Sequence, residues 1–224
     1  MIKNKKILII AAHPDDEILG CGGTILKLKK NNLIKVIFMT NGTDARGKNK
    51  EASQKRIGGC LNLFKKLKLN KPTIFNFPDN MLDTVPLLKI IKKIEENISK
   101  FKPEIIFTHF DGCLNIDHQI TFKATITACR PIKSSTVKKI LSFEVPSSTE
   151  WSLSKDKKFQ PNYYIDISNY IKEKISLMKY YKDEIKPYPH SRSLKSIRSL
   201  SEYRGTHVGV KNAEAFYLYR SLDK

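Results

Sequence analysis

Short apolar segments alternate with amphipathic segments over about the first 145 residues, and this alternation constrains the fold more than any other feature. Apolar runs typical of strands occupy residues 6–12, 33–39, 73–77, 104–108 and 139–143. The first run is continuous, as expected for a strand that is buried on both faces. Strands that alternate with helices form βαβ units, so the pattern predicts an α/β fold, a Rossmann-like three-layer sandwich with a mainly parallel sheet.

Helices are predicted between these strands from apolar spacing and from start signals. We expect them over residues 22–30, 50–68, 86–98 and 117–129. From Tyr163 onward the sequence predicts one short strand and two helical segments, separated by the turn-forming residues 186–190. Because no linker rich in Gly or Ser and no internal repeat interrupts the chain, we expect a single domain over residues 1–224.

The chain is strongly basic, with 41 Lys and Arg against 22 Asp and Glu and a formal net charge of +19. A surplus of this size raises the question of a nucleic-acid partner. The lysines are spread along the whole sequence, which favours solvated surfaces over a dedicated polyanion site. We therefore expect no dedicated nucleic-acid partner, although a basic surface can attract an anionic substrate such as a nucleotide sugar.

Two features indicate the cellular compartment. The segment before His13 resembles a signal peptide, with a basic start and an apolar core. That core has only six residues, so we interpret the segment as a buried strand. The four cysteines form no C-x-x-C pair, which predicts reduced thiols in a cytoplasmic protein and excludes a zinc ribbon. No run of about 18 apolar residues is present, so we expect no membrane span.

Polar residues follow the first and fourth predicted strands. His13, Asp15 and Asp16 follow the first strand, and His118 follows the fourth. Ligands bind at the carboxyl ends of strands in open α/β sheets. His13, Asp16 and His118 together would make a two-histidine, one-carboxylate set with an open position, which suits catalytic zinc. A neighbouring carboxylate can then accept a proton from water.

Simpler and competing interpretations exist for the same residues. The aspartates can be helix caps, and a lone His118 can be a surface or capping residue. Gly20–Gly23 suggests a dinucleotide loop, but the fingerprint requires glycine at the position of Ile25, and the nearby carboxylates would repel a pyrophosphate. A serine hydrolase is excluded because the chain contains no G-x-S-x-G motif.

The chain resembles the LmbE-like, or PIG-L-like, zinc-dependent N-deacetylases. The resemblance rests on residues 11–23 and 115–118, with further matches at 40–42, 77–80 and 203–216. Members of that family remove an acetyl group from N-acetylated sugars, often derivatives of N-acetylglucosamine. Residues 143–151 resemble a branch found beside bacterial surface-sugar genes, which implies a role in surface-polysaccharide or related glycoconjugate biosynthesis.

The resemblance also implies roles for individual residues. His13, Asp16 and His118 would be ligands of Zn²⁺ or another divalent cation, and Asp15 would be the general base. Asp117 would support the site through a hydrogen-bonded charge.

One position departs from the family pattern, because Asn115 stands where many relatives have the histidine that stabilises the oxyanion. We predict that His109, just upstream, supplies this function, with His207 as the alternative. Loops at the same sheet edge would form the sugar pocket. The residues predicted to bind substrate are Arg46, Asp79, Asn115 and Trp151.

The sequence leaves two other functions open. The same metal site could hydrolyse a non-sugar amide, or the chain could be a basic polyanion-binding protein without catalysis, which would bind nucleic acid in a salt-dependent way. A homo-oligomer is compatible with the sequence.

Overall fold

The computed structural model describes residues 2–42 and 50–223. Its strands are β1 (Lys6–Ala11), β2 (Leu33–Thr40), β3 (Thr73–Phe77), β4 (Ile105–His109), β5 (Lys139–Phe143), β6 (Tyr163–Asp166) and β7 (Ala213–Ser221). Its α-helices are α1 (Asp16–Leu28), α2 (Lys50–Leu67), α3 (Leu87–Phe101), α4 (Ile116–Ala128), α5 (Ile171–Leu177) and α6 (Leu194–Thr206). Two 3-10 helices cover Leu82–Thr84 and Met178–Glu184.

The described strands form one sheet in the order β3-β2-β1-β4-β5-β7-β6. The first five strands of this order are parallel, while β7 runs antiparallel to both β5 and β6. Strand β1 lies between β2 and β4, with Ile9 beside Val36 on one side and Phe107 on the other. The predicted mainly parallel sheet is therefore confirmed, and its centre carries the first sequence motif.

Apolar side chains pack on both faces of the sheet. On one face, alternate residues of β1, such as Ile7 and Ile9, pack against α1, α2, α5 and α6. On the other face, Leu8 and Ile10 pack against α3 and α4. This arrangement gives the three layers that the sequence predicted, and it explains why β1 is an unbroken apolar run.

Two sequence predictions about the elements were wrong. The first helix begins at Asp16 and not at Gly22, because α1 is kinked at Cys21 (φ −144°, ψ 26°) and a kink interrupts the helical spacing of apolar residues. The segment after Tyr163 contributes two strands to the sheet and not one. Strand β7 is buried only over its first four residues, so it lacks the long apolar run that marks the central strands.

Side chains from the C-terminal half satisfy the backbone groups that the α1 kink leaves free. The carboxylate of Glu214 accepts hydrogen bonds from the backbone N–H groups of Gly23 (2.8 Å) and Thr24 (2.7 Å). The Lys174 ammonium donates to the carbonyl of Leu19 (2.9 Å) and to Glu214 (2.7 Å). The buried Lys174–Glu214 pair thus holds in place the helix that begins at Asp16.

None of the helices within the described ranges combines the length and apolarity that crossing a bilayer requires.

Candidate active site

The two motifs lie side by side at the carboxyl ends of β1 and β4. His13 and Asp15 occupy the turn between β1 and α1, and Asp16 is the first residue of α1. Asp117 and His118 lie in the first turn of α4, and all five residues are buried. The Asn115 side chain caps α4, because its Oδ1 accepts hydrogen bonds from the backbone N–H groups of Asp117 (2.8 Å) and His118 (3.3 Å). This cap fixes His118 in the first turn of the helix, facing the β1 motif.

The geometry of three side chains suits a divalent metal. Asp16 Oδ2 lies 3.2 Å from His13 Nδ1 and 3.4 Å from His118 Nε2. One ligand atom from each of these residues can be chosen so that all lie within 4.8 Å of one another. Asp16 Oδ1 is buried and has no hydrogen-bond partner among the described residues. Two imidazole nitrogens beside a carboxylate that has one unsatisfied oxygen form a donor set typical of zinc.

The other nitrogen of His13 is held by carboxylates. Nε2 donates to Asp117 Oδ2 at 3.1 Å and lies 3.2 Å from Asp79 Oδ1. The ligand-atom distances also permit a metal between His13, Asp79 and Asp117. However, both oxygens of Asp117 already accept backbone N–H groups, from Asn80 (2.7 Å) and Leu82 (3.0 Å). We therefore assign Asp117 to orienting His13, as carboxylates orient metal-bound histidines elsewhere.

The ring of His118 is oriented in the same manner. Ser148 Oγ lies 3.2 Å from His118 Nδ1, which leaves Nε2 directed at Asp16. His109 stacks on the other side of this ring, with the two centroids 3.9 Å apart. His109 is fully buried, and its Nε2 accepts a hydrogen bond from the backbone N–H of Ala12 at 2.8 Å.

Opposing electrostatic effects act on these groups. Burial favours neutral His13, but hydrogen bonds to Asp117, Asp16 and Asp79 outweigh it and raise the pKa of His13 well above its usual value. Burial also favours the neutral form of Asp16, yet the charges of His118 and His109 hold the pKa of this carboxyl well below its usual value. Burial lowers the pKa of both His118 and His109. These effects favour the anionic form of Asp16, which is the form in which a carboxylate binds a metal.

Asp15 lies beside this set in a strained conformation, with φ 131°. Its backbone N–H donates to Glu17 Oε2 (2.9 Å), and Glu17 Oε1 accepts the Tyr181 hydroxyl (2.6 Å). Burial raises the pKa of Asp15 to about 6, although the guanidinium groups of Arg56 and Arg192 act in the opposite direction. Asp15 thus combines the burial and the perturbed pKa that often mark general bases.

The structure shows site residues that sequence reasoning missed. Arg192 Nη1 donates to Asp15 Oδ2 at 2.9 Å, and Arg56 Nη2 lies 3.1 Å from Asp15 Oδ1. Glu184 contacts both arginines. Arg192 and Glu184 lie far along the chain from Asp15, in irregular or 3-10 segments, so no local pattern signals them.

The predicted substrate-binding residues fall in different places. Asp79 is buried beside His13, and its Oδ1 accepts the Thr40 hydroxyl (3.1 Å). The side chain of Trp151 is 47% exposed and packs edge-on against His190, at a centroid distance of 5.2 Å. Arg46 lies outside the described residues.

Asn115 and His109 have structural contacts that bear on their predicted roles. Asn115 uses its Oδ1 as the helix cap, while its Nδ2 donates to Asn80 Oδ1 (2.8 Å). The role of His109 as oxyanion donor stays a prediction. Its complete burial and its bond to Ala12 favour a supporting role beneath Asp16 and His118.

A cavity of about 450 Å³ adjoins Asp15 through its arginine partner, between α2 and the 3-10 helix Met178–Glu184. Its lining includes Lys55, Arg56, Asn62, Tyr180, Tyr181 and Glu184. Its size is within the range of pockets that bind small molecules.

Comparison with known proteins adds independent information about this site. Residues 8–129 match the family described as PIG-L, GlcNAc-PI de-N-acetylase. The protein named uncharacterized deacetylase YaiS, from Escherichia coli K12, is 31% identical over 154 residues, which cover 65% of this chain and 77% of that protein.

Solved structures share the fold at lower sequence identity. The N,N'-diacetylchitobiose deacetylase from Pyrococcus horikoshii superposes with a TM-score of 0.78 at 21% identity, covering 96% of this chain and 84% of that one. GalB, the 4-carboxy-2-hydroxymuconate hydratase of Pseudomonas putida KT2440, superposes with a TM-score of 0.74 at 14% identity, covering 98% of both chains. Because this fold carries both deacetylation and hydration chemistry, the fold alone does not identify the reaction.

Proposed function

The chain belongs to the PIG-L family of hydrolytic N-deacetylases, and on that premise we propose that it removes the acetyl group from an N-acetylated sugar. We propose a substrate of the N-acetylglucosamine or nucleotide-sugar type, used in surface-polysaccharide or related glycoconjugate biosynthesis. The observation that carries the proposal is that His13 Nδ1 and His118 Nε2 both face the Asp16 carboxylate, with Asp15 next to them.

We assign His13, Asp16 and His118 as the residues that hold a divalent metal, zinc being the metal that this donor set suits. When bound, such a metal lowers the pKa of a water molecule and polarises the acetyl carbonyl. Asp117 and Asp79 hold the His13 ring, and Ser148 holds the His118 ring.

Asp15 is assigned as the general base. Asp15 adjoins Asp16, and burial raises the pKa of Asp15 to about 6, which supports a role as the acceptor of the proton of the attacking water. Once protonated, the same carboxyl group can pass its proton to the nitrogen of the leaving sugar amine.

Residues at the same sheet edge would recognise the sugar. Asp79 offers a buried carboxylate beside His13, and the exposed ring of Trp151 offers an apolar face on which a sugar ring can lie. Contacts from Asn115 and Arg46 to the substrate stay predictions, and so does the place of His109 in stabilising the oxyanion.

A substrate panel tests the reaction. Purified protein loaded with zinc is assayed for acetate release from N-acetyl sugars, nucleotide-linked N-acetyl sugars and simple acetamides. We expect turnover of one or more of the sugars and little of the acetamides. Hydrolysis of acetamides alone would favour a non-sugar amidase. Salt-dependent nucleic-acid binding without acetate release would favour the polyanion-binding alternative.

A substitution tests the general base. Asp15→Asn has nearly the same size but cannot accept the proton, so we expect about a 10²–10⁴-fold loss of turnover with the metal retained. Wild-type turnover in this variant would remove Asp15 from the mechanism.

Metal analysis tests the ligand set. We expect about one equivalent of zinc per chain in the wild-type protein and a loss of metal in His13→Ala and His118→Ala. His207→Ala is the matched control, because this ring packs against Tyr203 and its Nδ1 bonds to the Tyr164 hydroxyl. Full metal content in both ligand variants would show that the assignment is wrong.

A further inference from the structure

Asp15 and three other charged side chains form a closed ring of ion pairs. Asp15 Oδ1 lies 3.1 Å from Arg56 Nη2, and Arg56 Nη1 lies 3.1 Å from Glu184 Oε1. Glu184 Oε2 lies 2.8 Å from Arg192 Nη1, which also donates to Asp15 Oδ2 at 2.9 Å. Positive and negative groups alternate, so the ring has no net charge. This balance matters because uncompensated charges are costly away from water.

Backbone and side-chain contacts hold each arginine in position. Arg56 Nε donates to the carbonyl of Pro14 (3.0 Å), and its Nη1 donates to the carbonyl of Gly42. Arg192 Nε donates to Ser147 Oγ (2.7 Å) and to the carbonyl of Pro146 (3.3 Å). These anchors come from the loops that follow β1, β2 and β5, which are the same loops that surround the candidate active site.

The ring restricts how the Asp15 carboxylate can rotate. A carboxylate that accepts a hydrogen bond on one oxygen and faces a second cation at the other has one favoured orientation. An ionised carboxylate offers about four acceptor positions, of which the Arg192 N–H occupies one. Arg56 faces Oδ1 as an ion pair without a hydrogen bond, so acceptor positions for a proton remain on the carboxylate while the ring holds the group still.

We propose that Arg56 and Arg192 are positioning residues for Asp15, and that Glu184 sets the orientation of both guanidinium groups. The inference rests on the proposed function, in which Asp15 is the general base. Rate depends steeply on the placement of a general base, since a displacement of about 1 Å can cost on the order of 10²-fold. We therefore expect the contacts of Arg192 with Asp15 to act mainly on the rate of the chemical step.

The test compares variants of Arg192 with a matched variant at another buried arginine. Arg204 forms a bidentate pair with Glu144 (2.7 and 2.6 Å) and is 12% exposed, against 16% for Arg192. Arg192→Gln, Arg192→Lys and Arg204→Gln are measured for kcat, KM, zinc content and melting temperature. The probe is the N-acetyl sugar that the wild-type protein deacetylates fastest.

For Arg192→Gln we expect kcat to fall about 10- to 100-fold, with KM and zinc content unchanged. Arg192→Lys keeps a donor but lacks the planar fork, so we expect an intermediate kcat. It also provides the measurement if Arg192→Gln does not fold. For Arg204→Gln we expect a lower melting temperature and a kcat close to that of the wild type.

Three outcomes would overturn the inference. Wild-type kcat in Arg192→Gln would show that the ring does not position Asp15. An equal fall of kcat in Arg192→Gln and Arg204→Gln would show that the loss follows general destabilisation. If the wild-type protein releases no acetate from any substrate, the proposed function is wrong and this inference falls with it. The first two outcomes, in contrast, would leave the proposed function intact.

Discussion

The hydroxyl group of Ser148 contributes to the orientation of the His118 ring through a contact with Nδ1. The Ser148 Oγ lies 3.2 Å from His118 Nδ1, and it also accepts the backbone N–H of Asn115 at 3.2 Å. Removing a group that hydrogen-bonds to a metal-binding histidine typically lowers metal affinity by about 10- to 100-fold. We expect Ser148→Ala to weaken zinc binding by about this factor, as measured by competition with a chelator.

The control for this variant is Ser176→Ala. Ser176 is exposed, and its hydroxyl donates to the carbonyl of Glu173. We expect zinc affinity to be unchanged in this control. Equal affinities in Ser148→Ala and the wild type would mean that α4 alone orients His118.

Single residues of the site differ in how far the sequence predicts them. The sequence places His13, Asp16 and His118 together because the first two follow β1 closely and His118 begins the helix that follows β4, and parallel strands end at the same edge of a sheet. Arg56 and Arg192 were not predicted, because their contacts with Asp15 join segments far apart in the sequence. Arg56 lies in a stretch rich in Lys and polar residues, and Arg192 follows a turn segment of Pro, His and Ser, so nothing local marks either side chain as largely buried.

At the scale of elements, two adjacent glycines in α2 have opposite environments. A Cβ added to Gly58 would meet no atom within 4 Å, whereas one added to Gly59 would lie 2.2 Å from the carbonyl oxygen of Tyr180. Gly59 thus permits α2 to approach the 3-10 helix that ends at Glu184. Replacing a helical glycine by alanine stabilises a helix by about 0.5–1 kcal/mol where there is space, and overpacking costs about 1–3 kcal/mol.

We therefore expect Gly58→Ala to raise the melting temperature and Gly59→Ala to lower it, by roughly 2–4 °C per kcal/mol. Each variant serves as the control for the other, because the two have the same chemistry and neighbouring positions. Thermal unfolding followed by circular dichroism measures both. A fall of similar size in the two variants would mean that α2 does not pack as closely as the structure shows.

The α1 kink depends on the Lys174–Glu214 pair, in which both side chains are 4% exposed. Lys174→Met leaves the Glu214 charge buried without its partner, and removing one partner of a buried pair costs about 3–5 kcal/mol. We expect the melting temperature to fall by roughly 6–20 °C. The control is Lys100→Met, which removes an exposed ion pair with Glu96 and should change the melting temperature little. Equal melting temperatures in the two variants would contradict the capping role of Glu214.

The same kink limits what the sequence can predict about elements. Strands β3 and β5 have the predicted bounds, because short apolar runs with clear ends are recognisable without tertiary information. The start of α1 was misplaced by six residues, from Gly22 to Asp16, because Glu214 supplies the hydrogen bonds of the broken turn from the far end of the chain. When a distant side chain supplies the hydrogen bonds of a helix, the local sequence does not contain all the residues that indicate where the helix begins.

For the molecule as a whole, a bound metal would link the two halves of the parallel sheet. His13 and Asp16 follow β1, and His118 follows β4, so one ion would bridge two neighbouring βα units. A ligand that binds only the folded state stabilises it, by about 2.7 kcal/mol when its concentration is 100 times its Kd. For a chain of this size, that corresponds to a rise of roughly 5–11 °C in melting temperature.

We therefore expect chelator-treated protein to melt at a lower temperature than protein with excess zinc. Adding zinc back to the treated protein should restore the higher melting temperature. His118→Ala is the decisive comparison, because it removes one ligand and leaves the fold and the other charges in place. In this variant zinc should produce little or no shift. If zinc raised the melting temperature of the variant as much as that of the wild type, the ion would stabilise the chain from another position. The site between β1 and β4 would then not be where zinc binds.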